Sequence, residues 1–215
     1  MKTSPHIVQY QGSKRKLADR ILQHMSKKFG RLIEPFSGMA AISIAVAFRG
    51  MANEFIINDI NPDIVSILES AVETPEDLIR SYSALWNEQF SFKEGSEAHF
   101  YKVRNEFNNG AKKASAMLYL LARCVKGSVR YNSAGEFNQS PDKRRNGTSP
   151  LTLSFNVRAI SNILKGKSWF YSKEILEKYS IWHKRGILSI WILPIRECPM
   201  SETIVILRDY LSTNL

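Results

Sequence analysis

Leu32-Ile33-Glu34-Pro35-Phe36-Ser37-Gly38-Met39-Ala40 decides how this chain folds. An apolar run from Arg31 to Phe36 halts at Ser37-Gly38, and the small apolar residues of Ala40 to Phe48 follow. A short buried run, a glycine break and a longer small-residue stretch read as strand, tight turn and helix. Downstream, Glu54 to Asn58 (Glu-Phe-Ile-Ile-Asn) predicts a second buried strand. Asn61-Pro62 predicts a helix start, with a capping side chain and a proline in the first turn, and the helix should run to about Val72. Thr74-Pro75-Glu76-Asp77 resembles a capping box that opens another helix through Ala84 and Leu85. Upstream, Gln11-Gly12-Ser13-Lys14-Arg15-Lys16 leads into Leu17, Ile21, Leu22 and Met25 at helical spacing. Residues 1–90 therefore alternate strand and helix, the pattern of an α/β sheet.

The second half reads differently. Ala114 to Val125 is a strongly apolar helix, buried in the core, with Lys112 and Lys113 at its exposed start. Gly127 to Gln139 is expected to form a β-hairpin or loop around Asn132-Ser133-Ala134-Gly135, between Val129-Arg130-Tyr131 and Glu136-Phe137-Asn138. Asp142 to Thr148 is polar and basic, with no apolar residue to anchor it, and is expected to be a mobile or partner-ordered loop. The chain contains no internal repeat and no low-complexity tract.

Charge narrows the class of partner. The chain of 215 residues carries 30 Lys and Arg against 20 Asp and Glu, a formal net charge of +10. Residues 101–170 hold thirteen basic side chains against Glu106, Glu136 and Asp142, so this one window carries the whole excess. A localised positive segment suits a polyanion; a solubilising surface would be served equally well by scattered lysines. Interleaving with Tyr131, Asn132, Phe137, Asn138 and Gln139, which stack on or hydrogen-bond to bases, tips the reading toward nucleic acid. Hydrophobic residues at 44% and charged residues at 23% exclude fibrous and disordered classes, and a chain this long can bury ~70% of its unfolded surface. Cys124 and Cys198 form neither a disulfide framework nor a metal-binding pair. Met1 to Tyr10 lacks the apolar core of an export signal and no apolar run approaches ~20 residues, so a cytoplasmic, monomeric protein without membrane contact is expected. His6, His24, His99 and His183 have no metal-ligand spacing, and no metal is expected.

Asp59 ends the second strand 21 positions after Gly38. In nucleotide-binding α/β folds a small-residue turn lets the ligand approach the backbone, and an acid about 20 residues on accepts ribose hydroxyls. The loop has a single glycine, so there is no dinucleotide fingerprint and no phosphate cradle, which suits a nucleoside without a pyrophosphate. Spacing alone places a plain strand-to-helix connection slightly ahead of a cofactor site.

Three segments then carry a resemblance. Gln9-Tyr10-Gln11-Gly12-Ser13-Lys14-Arg15, Glu34-Pro35-Phe36-Ser37-Gly38-Met39 and Asn58-Asp59-Ile60-Asn61 resemble, in order, the first three motifs of the Dam-type (DpnII-like, alpha-group) DNA adenine-N6 methyltransferases. Arg130-Tyr131-Asn132 and Gly135-Glu136-Phe137-Asn138 are similar to that family's target-recognition hairpin, so the resemblance spans residues 5 to about 170. It implies a Rossmann-like class I methyltransferase sheet, here incomplete, with an inserted helical and β-hairpin target-recognition region. It implies S-adenosylmethionine as cofactor and double-stranded DNA as partner. Tyr10, Gly12, Ser13 and Lys14 would cradle the cofactor, Pro35, Phe36, Ser37 and Gly38 would form the turn against it, and Asp59 would hold its ribose; Glu34 and Ile60 complete the implied set. The plain alternatives are a solvated helix-start lysine at Lys14 and a helix-approach acid at Asp59. Lys126, Arg130, Tyr131, Asn132, Asn138, Lys143, Arg144 and Arg145 are the candidate DNA contacts. The implied organisation is a cofactor-binding part over 1–75, a target-recognition region over 76–165 and a tail over 166–215. Gln139 to Arg145 departs from the Dam pattern, which puts a GATC target in doubt.

The family's catalytic signature, Asp-Pro-Pro-Tyr, is missing from the sequence. In that signature the acid and an adjacent carbonyl hold the adenine amino group while the aromatic ring stacks on the flipped base. Where the family order would place it, this chain reads Ile187-Leu188-Ser189-Ile190-Trp191-Ile192-Leu193-Pro194-Ile195. Because Trp191 has the single codon TGG and Ile192 begins with AT, the frame starting at each third base must read aspartate across that junction. The next three junctions permit Pro, Pro and Tyr, and Ile187 to Trp191 permits Phe-Val-Tyr-Leu. The expectation is a frameshift between about Ser172 and His183, with a degenerate tail and negligible methyl transfer. A divergent but genuine C-terminus is the plainer alternative. Other functional readings are a non-catalytic DNA-binding module and, less favoured by the charge and the hairpin, a methyltransferase acting on RNA or a small molecule.

Overall fold

The computed structural model describes residues 4–172, together with the backbone of 188–191 and 205–207. A five-stranded sheet of order β3-β2-β1-β4-β5 organises the chain, with β1 Arg31–Glu34, β2 Glu54–Asn58, β3 Ser168–Tyr171, β4 Leu188–Trp191 and β5 Val205–Leu207. β1 pairs in parallel with β2, and β2 in parallel with β3. On the other side β4 runs parallel to β1, in register Leu32 to Leu188, and β5 closes antiparallel on β4. Leu32, Ile33, Phe55, Ile56 and Ile57 are all buried, as expected of parallel strands covered on both faces. The chain steps outward from β1 through β2 to β3 and then returns to the opposite side of β1 as β4. The strand order thus reverses at β1, and the crevice beyond the carboxyl ends of β1 and β4 is where open α/β sheets bind ligands.

The predicted helices of the first half form, and two details differ. α1 (Ala18–Gln23) is preceded by a 3₁₀ turn, Lys14–Leu17, capped by the Ser13 side chain on the Arg15 N–H. α2 (Ala41–Phe48) starts behind Ala40 in the left-handed region (φ 51°) and has no capping side chain of its own. Glu34 supplies the cap from the end of β1: its carboxylate accepts the Ser43 N–H at 2.9 Å and the Ser43 hydroxyl at 2.5 Å, a favoured place for negative charge at a helix N-terminus. α3 (Pro62–Glu73) begins as predicted, with the Asn61 side chain accepting from the Asp63 N–H at 3.0 Å. The capping box at Thr74 does not form. Thr74 ends α3 as well as preceding α4 (Pro75–Ser91), and its hydroxyl donates back to the Ser70 carbonyl.

Between β2 and β3 the chain inserts α4, α5 (Ser96–Asn108), α6 (Ala114–Arg123) and α7 (Pro150–Leu164). α6 is the predicted apolar helix, and Met117, Leu118, Tyr119, Leu120 and Leu121 are buried where it packs against α3, α4 and α5. α7 is tied to α3 by the Ser161 hydroxyl on the Val72 carbonyl (2.7 Å) and to α4 by the two-pronged Arg158–Glu76 pair. It then delivers the chain to β3, so residues 168–171 join the sheet.

The segment from Asp142 to Thr148 is not a loose loop. Asp142 is buried and its N–H donates to the Arg123 carbonyl at 2.7 Å, while the buried Arg123 guanidinium donates to the carbonyls of Asp142 and Arg145. Farther along, Gln89 reaches the Asn146 carbonyl and the Tyr82 hydroxyl reaches that of Thr148. Buried polar side chains from α4 and α6 anchor this segment, so the lack of apolar residues in it did not signify mobility.

Candidate cofactor pocket and nucleic-acid interface

Three stretches far apart in sequence meet at the carboxyl ends of β1 and β2. They enclose a cavity of about 310 Å³ lined by Tyr10, Gly12, Ser13 and Lys14 on one side, Glu34, Phe36, Ser37 and Gly38 beneath, and Asp59 and Ile60 on the other. Pro35 stands outside the lining. It is buried behind the turn, where its carbonyl accepts from the Asn58 side chain at 2.9 Å. Gln11, Met39 and Ala41 also line the cavity; Gln11 adjoins Gly12 and Met39 adjoins Gly38 in the motifs above, while nothing in the sequence marks Ala41. A second cavity of about 350 Å³ lies across a wall of Tyr10, Ser13, Met39 and Ala41 and reaches His6 and Arg15.

The turn between β1 and α2 is held by its neighbours. The Ser37 N–H donates to the Asn58 carbonyl at 2.9 Å, and the Gly38 N–H donates to Asp59 Oδ2 at 2.8 Å. The other oxygen of Asp59 accepts the Asn61 N–H at 3.0 Å. Asp59 therefore braces the turn after β1 and the approach to α3, and it also lines the cavity. Gly38 has φ +50°, and a Cβ there would lie 2.9 Å from the Tyr10 ring, so only glycine lets the Tyr10 ring pack on this turn. Lys14 turns its ammonium to the Gly12 carbonyl at 3.2 Å.

The electrostatics follow from burial. Glu34 is 6% exposed, and burial pushes its carboxyl up to about 7, against the lowering effect of hydrogen bonds from Ser43 and Ile42. Tyr10 is raised by burial and then by the charge of Asp59. By contrast Ile60 is 69% and Phe36 38% exposed, an unusual exposure for two large apolar side chains flanking one cavity.

The predicted hairpin forms as a turn bridged by Tyr131 and Phe137. Asn132 builds it: its side-chain oxygen accepts the N–H groups of Ala134 and Glu136, and its amide donates to the Glu136 carboxylate. Tyr131 is half-buried and is bonded within the protein. Its hydroxyl donates to Asp63 at 2.6 Å and lies 3.2 Å from the Asn61 side chain, and its ring packs edge-on to Phe137. Burial, and next the Asp63 carboxylate, hold that hydroxyl well above the ordinary tyrosine range. The base of the hairpin is thus fastened beside the Asp59 wall of the cavity, through Asn61, which the sequence marks as a helix cap, and Asp63, which the sequence reading does not single out.

Lys126, Arg130 and Asn138 are exposed. Arg144 extends outward with its side chain 90% exposed, and Lys143 makes an exposed ion pair with Glu97. Arg145 is exposed too, and its guanidinium is bonded to Asp142 and Gln9. Among the described residues no group of three or more His, Cys, Asp or Glu could hold a metal ion, and no helix is long and apolar enough to cross a membrane.

Comparison with known proteins agrees with this arrangement. The chain is 30% identical to the DNA adenine methylase of Serratia marcescens over 141 residues, which cover 64% of this chain and 49% of that one. It is 27% identical over 192 residues to the Type II methyltransferase M.MjaIII of Methanocaldococcus jannaschii, covering 83% of this chain and 65% of the relative. It is 28% identical over 137 residues to the retron Ec67 DNA adenine methylase of Escherichia coli, covering 61% and 45%. The chain thus spans about half to two thirds of the length of these relatives. With residues 10–174 matching its pattern, the stretch that contains both the cavity and the hairpin, the chain belongs to the D12 class N6 adenine-specific DNA methyltransferase family.

Proposed function

We propose that this chain binds S-adenosylmethionine in the cavity at the carboxyl ends of β1 and β2 and duplex DNA through the hairpin and the basic segment after it. It serves the N6 methylation of adenine. The observation that carries this reading is the meeting of Tyr10 to Lys14, Glu34 to Gly38 and Asp59 to Ile60 around one cavity, with the hairpin fastened alongside.

The residues present suit the cofactor. Phe36 and Ile60 are exposed apolar surfaces suited to the two faces of an adenine ring. The Asp59 carboxylate retains lone pairs beyond those used by Gly38 and Asn61, enough to accept ribose hydroxyls. Gly38 brings bare backbone to the cavity wall, and Lys14 offers a cation to a carboxylate. When bound, the cofactor supplies an electrophilic methyl group. The chain's own contribution is orientation and exclusion of water, because an exocyclic amine needs alignment more than activation.

The 215 residues include no Asp-Pro-Pro-Tyr to hold a flipped adenine. We therefore assign this chain the binding steps and not the transfer step. The stretch Ile192 to Ile195, where a shifted reading frame would restore the tetrapeptide, lies outside the described residues; sequencing the gene across those codons decides that point. The protein is proposed to act as a monomer in the cytoplasm, associated with the nucleoid when bound to DNA.

Calorimetric titration with S-adenosylmethionine should show saturable binding, and duplex binding should weaken steeply with salt. Incubation with methyl-labelled cofactor and adenine-containing duplex should leave incorporation at background. Robust incorporation would overturn the assignment of binding alone, and the absence of cofactor binding would overturn the pocket itself.

A further inference from the structure

We propose that Arg145 is a positioning residue for the loop that walls the cofactor cavity, and not a contact to DNA phosphate. The inference rests on the reading of that cavity as the cofactor site. All three guanidinium nitrogens of Arg145 are engaged within the protein. Nε and Nη2 each lie 2.8 Å from Asp142 Oδ2, and Nη1 donates to the Gln9 side-chain oxygen at 2.9 Å. Three of its five N–H donors are used in this way and its charge is paired with the Asp142 carboxylate, although the side chain is 45% exposed.

The anchor is rigid. The Asp142 side chain is 6% exposed, and the Arg144 N–H together with the Arg145 guanidinium holds its carboxyl below the usual range. Its backbone is fixed to the end of α6 through Arg123. The loop that Arg145 grips is equally constrained. The Gln11 N–H donates to the Gly127 carbonyl at 2.8 Å, and Gly127, at φ +59°, lies so close that a Cβ would stand 2.3 Å from the Gln9 carbonyl oxygen. Tyr10, between these two fastenings, lines the cavity and packs on Gly38. The path from Asp142 through Arg145 and Gln9 to Tyr10 is a continuous set of polar and packing contacts, and it sets where the Tyr10 wall stands. Arg144, whose Nε lies 3.6 Å from Asp142 Oδ1, and Lys143, paired with Glu97, are more exposed than Arg145 and are not bonded to Gln9.

The test separates neighbouring basic residues by two readouts on the full chain. Binding of S-adenosylhomocysteine is measured by calorimetry, and binding of a short mixed-sequence duplex by fluorescence anisotropy across a salt series. Arg145→Gln is expected to weaken S-adenosylhomocysteine about fivefold or more, the scale of one charge-assisted hydrogen bond, and to leave the salt slope of duplex binding unchanged. Arg144→Gln and Lys143→Gln should do the reverse, each lowering the slope by about 1 while the ligand affinity stays put. Gln9→Ala should match Arg145→Gln, and the double variant should be no weaker than either single one. Arg145→Lys, with one point donor in place of a fork, should recover only part of the affinity.

The inference is overturned if Arg145→Gln keeps full ligand affinity and lowers the salt slope, or if the effects of Gln9→Ala and Arg145→Gln add. Should Arg145→Gln fail to fold, the exposed Gln9 decides alone: a Gln9→Ala chain with unchanged ligand affinity refutes it. If the unaltered chain binds no S-adenosylhomocysteine, the pocket reading fails and this inference with it.

Discussion

Glu34 should make this protein less stable as pH rises from about 4.5 to just above 7, and replacing it with glutamine should remove that dependence. The carboxylate is buried at the end of β1, and its partners are the Ser43 N–H and hydroxyl at the start of α2. Burial raises its carboxyl from 4.5 to about 7, a difference worth about 3 kcal/mol between the two protonation states. The folded chain therefore binds a proton here that the unfolded chain has already released. Stability from this group is fully present below the unfolded pKa and is lost as pH rises through about 7, where the folded carboxyl must also ionise. Between about pH 5 and about pH 8 the loss amounts to roughly 2.5 kcal/mol, a large fraction of the stability of a typical domain.

Urea unfolding at these two pH values, with the unaltered chain and Glu34→Gln side by side, measures it. The glutamine keeps an oxygen to accept from Ser43 and carries no charge, so the gap between the two proteins should open in favour of Glu34→Gln as pH rises. If the two stability curves run parallel from acid to alkaline pH, the carboxyl titrates normally and the argument from burial is wrong.

Three further substitutions test other joints of the structure. Gly127→Ala places a methyl group against the Gln9 carbonyl oxygen at a left-handed backbone position, and should cost about 2 kcal/mol or more in thermal unfolding. Tyr131→Phe removes the hydroxyl that donates to the buried Asp63, and should destabilise the chain by roughly 1–3 kcal/mol without changing the salt slope of duplex binding. Phe36→Ala trims an exposed ring beside the cavity. Denaturant stability should shift by less than about 1 kcal/mol, while calorimetry should show S-adenosylmethionine binding weakened about tenfold.

Some of the candidate site was legible in the sequence because it depends on local order. The turn at Ser37-Gly38 follows from an apolar strand that stops and a small-residue helix that starts, and both are properties of neighbouring residues. The pairing of Asp59 with that turn followed from a spacing that parallel strands impose: two adjacent strands joined by one helix bring their carboxyl ends together, so the acid at the end of β2 meets the glycine after β1. The buried α6 declared itself by its run of apolar residues.

What the sequence could not reveal are the contacts made by polar side chains across long separations. Arg145 reads as one of three consecutive basic residues, and nothing local separates it from Lys143 and Arg144. Only the packing of α6 against the segment after Pro141 turns its fork toward Gln9, 136 positions away. Tyr131 reads as a base-stacking aromatic on a hairpin, and its hydroxyl finds Asp63 across 68 positions. Asp142 to Thr148 reads as unanchored because it has no apolar residue, whereas Arg123, Gln89 and Tyr82 supply it with hydrogen bonds from helices elsewhere in the chain. By itself, then, the sequence determined the alternation of strand and helix and the residues that would meet at the sheet's carboxyl edge, because apolar periodicity and strand spacing are carried by near neighbours. The tertiary structure alone decided which basic and aromatic side chains bond to distant parts of the chain and which extend into solvent, because a hydrogen bond is directional and depends on where the folded backbone places its two ends.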